Sequence, residues 1–78
     1  MDIVTITRNG KTKSYTFDDG NAAMWFVLVQ AEKMGVVFPR EHGKDDYSYT
    51  DSDIEEVMTE IYEQKQGLGF DIHWDESK

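Results

Sequence analysis

The sequence predicts an α+β fold of order ββααβ: a small antiparallel or mixed three-stranded sheet with two helices packed on one face. Three observations lead there. An Asn-Gly pair separates two alternating segments, two later stretches repeat apolar residues at helical spacing, and a last short segment alternates again.

In MDIVTITRNGKTKSYTF, Asn9-Gly10 reads as a hairpin turn, because both residues tolerate positive φ. A two-residue loop pairs Arg8 with Lys11, Ile6 with Lys13, Val4 with Tyr15 and Asp2 with Phe17. Val4, Ile6, Tyr15 and Phe17 then share one face, and Thr5, Thr7, Thr12, Ser14 and Thr16 the other, as expected of one buried and one wet surface. Arg8, Lys11 and Lys13 make the turn end basic.

The next segment, DDGNAAMWFVLVQAEKMG, is expected to be a helix capped by an Asp or Asn among residues 18–21 and ended by Gly35. Met24, Val27, Leu28, Ala31 and Met34 follow one buried face. Trp25, Phe26 and Val29 lie toward the other side, so the second helix, the following loop or a partner is expected to cover them. Residues 35–50 read as an irregular connection with a short extended piece at 36–38. A loop this long in a small domain is often functional.

The clearest helix is SDIEEVMTEIYEQKQG. Ser52 and Glu55 match a capping box, Ile54, Val57, Met58, Ile61 and Tyr62 form the apolar face, and Gly67 is the expected stop. In GFDIHW, Phe70, Ile72 and Trp74 alternate with Asp71 and His73, the pattern of a half-buried strand over 70–74. The final DESK reads as a frayed tail.

The 78 residues are expected to form one domain, 1–78, and contain no cysteine, which excludes disulfides and thiolate metal sites and makes a reducing, cytoplasmic setting the default expectation. Asp2 and Arg8 interrupt the first apolar residues, so no secretory leader is expected, and the longest apolar run, residues 22–29, is far too short for a membrane span. The formal charge is −8. The excess lies in residues 45–78, which hold eleven acids against Lys65 and Lys78. General electrostatic attraction to nucleic acid or anionic membrane is therefore excluded, and steering toward basic surfaces is expected.

Catalytic and metal chemistry find little footing. Calcium-loop registers starting at Asp45 or Asp46 lack the glycine at the sixth position, and His42 and His73 stand in no ligand-spaced pair. There is no cysteine nucleophile, no G-x-S-x-G elbow and no phosphate-binding glycine loop. The expectation is no catalytic residue, no metal and no cofactor. Most of the aromatic residues Trp25, Phe26, Tyr47, Tyr49, Tyr62 and Trp74 are expected to fill the core.

The acids of DDYSYTDSDIEEVMTEIYEQ carry the functional expectation. Asp53, Glu55 and Glu56 meet the positive end of the helix dipole, whereas Glu60 and Glu63 lie in later turns, and Glu56 and Glu60 form a like-charge pair four residues apart. Carboxylates at this spacing lie about 5–6 Å apart, on the order of neighbouring phosphates along a nucleic-acid strand. Asp45, Asp46, Asp51, Asp53, Glu56, Glu60 and Glu63 are therefore the candidate partner-binding acids, with Tyr47 and Tyr49 as apolar anchors.

In size, in the stretch DDYSYTDSDIEE and in Glu60 and Glu63, the chain resembles small acidic phage-encoded anti-defence proteins, of the anti-CRISPR and anti-restriction kind, many of which are DNA mimics. That resemblance implies a non-enzymatic inhibitor in the host-cell cytoplasm. It would occupy a basic nucleic-acid-binding surface of a defence complex, as monomer or homodimer, without itself binding nucleic acid. The alternative is a small homo-oligomerising module that uses Trp25, Phe26 and Val29 of the first helix.

Overall fold

The computed structural model describes residues 1–39 and 50–76. Its elements are β1 (Asp2–Arg8), β2 (Lys11–Phe17), α1 (Gly20–Lys33), α2 (Asp51–Leu68) and β3 (Phe70–Glu76), an α+β fold with a three-stranded antiparallel sheet.

Asn9 and Gly10 adopt φ of 55° and 76°, the two positive values that match a two-residue loop to the twist of its strands. The register is the one the turn imposes: Arg8 faces Lys11, Ile6 faces Lys13, Val4 faces Tyr15 and Asp2 faces Phe17. On the uncovered face, hydroxyls bridge β1 and β2, Thr5 to Ser14 at 3.1 Å and Thr7 to Thr12 at 3.0 Å.

Sequence alone left open which edge the last strand takes. β3 pairs antiparallel with β1, from Arg8↔Phe70 to Asp2↔Glu76, so the sheet order is β2-β1-β3 and β1 is central. The expected fraying after Trp74 does not occur at Asp75 and Glu76, because β1 offers pairing partners as far back as Asp2.

Both helices cover the same face, α1 over β1 and β2, and α2 over β3. Between them lie Val4, Ala23, Met24, Val27, Leu28, Ala31, Val57, Ile61, Phe70 and Ile72, with Val36 beside them. Phe26 is covered by the hairpin rather than by the second helix. Its ring packs on Tyr15 (centroids 4.6 Å apart) and Phe17 (5.1 Å) of the hairpin. Trp25, on the same helix, is 39% exposed.

Asp19 caps α1, accepting a hydrogen bond from the Asn21 N–H at 3.0 Å. After Met34, Gly35 turns the chain at φ 104°, and the Val36 N–H returns to the Ala31 carbonyl at 3.0 Å. A Cβ at Gly35 would sit 3.0 Å from Leu68 Cδ2 and force a non-glycine residue into positive φ. Gly35→Ala is expected to lose about 2 kcal/mol in urea unfolding. Gly69→Ala, at φ 75° in open space, is expected to lose less.

Candidate functional site: an acidic helix and a basic cleft

α2 begins earlier than the Ser52/Glu55 pattern predicts. Thr50 is its cap and Asp53 completes the box. The Asp53 N–H donates to Thr50 Oγ1 at 3.2 Å, and the Thr50 N–H donates to Asp53 Oδ2 at 3.0 Å. Asp53, a candidate contact residue, is thus held at the helix start, while Glu55 is released to solvent. The helix also passes through Gly67 and ends at Gly69, whose left-handed conformation lets its N–H close on the Lys65 carbonyl at 2.9 Å.

Asp51, Glu55 and Glu63 are exposed, and Glu56 and Glu60 are half-buried at the margin of the same surface. From Asp51 to Glu63 the helix rises about 18 Å and carries six carboxylates, about one per 3–4 Å. One strand of a duplex carries a charge per about 3.4 Å. The acids of α2 therefore approach that charge per unit length, spread over the solvent-facing half of the helix. Asp45, Asp46, Tyr47 and Tyr49, the other expected contact residues, lie outside the described residues, as do His42 and the first positions of both calcium registers.

Glu60 has a structural duty that its position in the sequence does not reveal. It accepts a hydrogen bond from Gln64 Nε2 at 3.2 Å. Gln64 in turn grips the backbone of Val37 at two points, accepting from its N–H at 2.9 Å and donating to its carbonyl at 2.8 Å. This clamp ties residues 36–38 to α2 and keeps Val36 in the core. Gln64→Leu removes both bonds at similar volume. It is expected to cost about 1–2 kcal/mol, read as a lower urea midpoint with an unchanged slope.

Tyr62, expected in the apolar face, is 46% exposed. Lys65 Nζ stands 4.8 Å from its ring centroid and pairs with Asp71 of β3. The phenol thus presents an aromatic surface beside the acids.

The bases occupy another place. Strand alternation puts Arg8, Lys11 and Lys13 on the helix-facing side of the hairpin, where they reach past the core toward the last turn of α1. There, with Lys33, Gln30, Met34, Ile6 and Tyr15, they line a cleft of about 350 Å³. Among the described residues, none of Arg8, Lys11, Lys13 and Lys33 pairs with a carboxylate. Lys65 lines an adjoining cleft of about 240 Å³ with Arg8 and the hairpin turn.

The two helix ends differ in the charges beside them. α1 follows β2 and ends at the cleft, and α2 ends at Gly69 beside Arg8, so the two helices run in the same direction. Asp18, Asp19, Asp51 and Asp53 stand at their N-termini, and Lys33 and Lys65 at their C-termini. Each sign complements the partial charge of the helix end it meets. Among the described residues, no group of three or more His, Cys, Asp or Glu side chains is arranged to hold a metal, and no helix is long and apolar enough to cross a membrane.

Comparison with protein-family models, with curated proteins and with solved structures finds no match to this chain.

Proposed function

We propose that this protein is a non-enzymatic binding protein whose α2 face occupies a basic, nucleic-acid-binding surface of a partner. In its full form the proposal is a phage or prophage inhibitor of a host defence complex, acting as a nucleic-acid mimic. One observation carries it. Asp51, Glu55 and Glu63 are displayed on the exposed side of α2, while, among the described residues, Arg8, Lys11 and Lys13 are gathered in a separate cleft and pair with none of them. Asp51, Glu55 and Glu63 are placed to meet arginine and lysine side chains, and Glu56 flanks them. Tyr62 supplies an apolar contact of the kind that anchors interfaces.

The test is capture of a partner from lysate with the tagged protein, followed by competition. The captured protein is expected to be basic and to bind nucleic acid. Its affinity is expected to fall at least tenfold between 50 and 200 mM salt, and duplex DNA or RNA is expected to displace this protein. An association indifferent to both salt and nucleic acid would end the mimic reading.

A further inference from the structure

We infer that the cleft between the hairpin and the end of α1 binds a small organic phosphate of the nucleoside phosphate class. This site is separate from the α2 face and does not depend on the function proposed for it.

The cleft forms where the core runs out. Along the helix-facing side of the hairpin, Val4, Ile6, Tyr15 and Phe17 pack beneath α1, and beyond Ile6 and Tyr15 the same row continues as Arg8, Lys11 and Lys13. α1 ends above them, adding Gln30, Lys33 and Met34. Four cations thus converge over an apolar floor made by Ile6 and Met34.

A structural purpose for these cations is the first alternative to weigh. Bases near a helix C-terminus commonly satisfy its last carbonyls. Here the chain does so itself: the Met34 N–H serves the Gln30 and Ala31 carbonyls, the Gly35 N–H serves Glu32, and the Val36 N–H serves Ala31. The helix end carries about half a negative charge, far less than the four positive charges around it. Arg8 and Lys11 also face each other directly across the hairpin, a like-charge pairing that destabilises the sheet. With sixteen acids available against eight bases, the fold nevertheless leaves all four unpaired among the described residues.

The lining also defines the ligand. Four cations call for at least two negative charges, and a guanidinium with ammonium groups suits phosphate oxygens. Inorganic phosphate would leave Ile6 and Met34 unused. An attached base and sugar would cover them, and Gln30 and Tyr15, two residues of the same lining, carry groups that can hydrogen-bond. A volume of about 350 Å³ belongs at the small end of ligand pockets. The overall charge of −8 does not forbid this, because at physiological salt charges act over about 8 Å and the four local cations dominate. A nucleic-acid strand is disfavoured, since it would carry further negative charge across the acidic remainder of the surface.

The experiment is an NMR titration of the amide resonances with ATP at about 0.15 M salt. Saturable shifts are expected at Ile6, Lys13, Gln30, Lys33 and Met34, with inorganic phosphate binding at least tenfold more weakly. Lys13→Ala with Lys33→Ala is expected to weaken ATP at least tenfold while the spectrum stays native outside the cleft, and Lys65→Ala is expected to change it less than twofold. The inference is overturned by an absence of saturable shifts, by shifts centred elsewhere, by equal affinity for phosphate, or by a double variant that binds as before. An arm with hexathymidylate separates the sources of the same chemistry. Weaker binding than ATP supports the small ligand, and tighter binding overturns it in favour of a strand.

Discussion

Replacing Glu55 and Glu63 with lysine is expected to weaken partner binding at least a hundredfold and to leave the fold intact. Each carboxylate that meets an arginine or lysine makes a charge-assisted bond of about 1.5–3 kcal/mol, and each reversal adds repulsion. Two such losses exceed the 2.7 kcal/mol or so that a hundredfold change requires. Both side chains are exposed. Lysine near the start of α2 costs a few tenths of a kcal/mol against the helix dipole, and lysine in the later turns recovers a similar amount. The melting curve is therefore expected to move by only a few degrees. Glu60 is the wrong choice for this test, because its reversal also disturbs Gln64 and the Val37 clamp. Full-strength binding by a folded Glu55→Lys, Glu63→Lys protein would place the contact elsewhere.

Ile61→Ala is expected to have the largest effect on stability. Ile61 is completely buried and is among the largest side chains that are. Truncation removes the transfer energy of three carbons and leaves a cavity, together costing about 2–5 kcal/mol. At about 0.05–0.15 kcal/mol per residue, 78 residues hold about 4–12 kcal/mol altogether. The variant is expected to lose a large part of that and to populate the unfolded state measurably in dilute urea. Ile54→Ala, on the same helix but only partly buried, is expected to cost less. A loss below about 1 kcal/mol at Ile61 would mean that α2 does not anchor the core.

What was legible in the sequence follows the range of the interactions involved. The hairpin register could be read residue by residue, because the Asn9-Gly10 turn sets it locally. The apolar rows of both helices were equally plain. The start of α2 was not, since Thr50 with Asp53 and Ser52 with Glu55 match capping patterns two residues apart, and the earlier box adds helix. Gly67 looked like a stop because glycine disfavours helices, yet it is Gly69 that supplies the left-handed residue. The Glu60–Gln64–Val37 chain and the meeting of Lys33 with the hairpin bases depend on tertiary approach, for which no local pattern exists. The cover over Phe26 is illegible in sequence for the same reason: only the position of α1 over β1 and β2 shows that Tyr15 and Phe17 pack on it.

β1 is central, and its two neighbours lie at very different distances along the chain. β2 follows after two residues, whereas β3 returns from beyond both helices. During synthesis the first hairpin is able to form early, but one edge of its inner strand stays unsatisfied until residues 70–76 emerge. That interval is a window for pairing with the wrong strand. Closing it requires bringing together strands separated by both helices, so sheet completion, rather than hairpin formation, is the step expected to limit the folding rate.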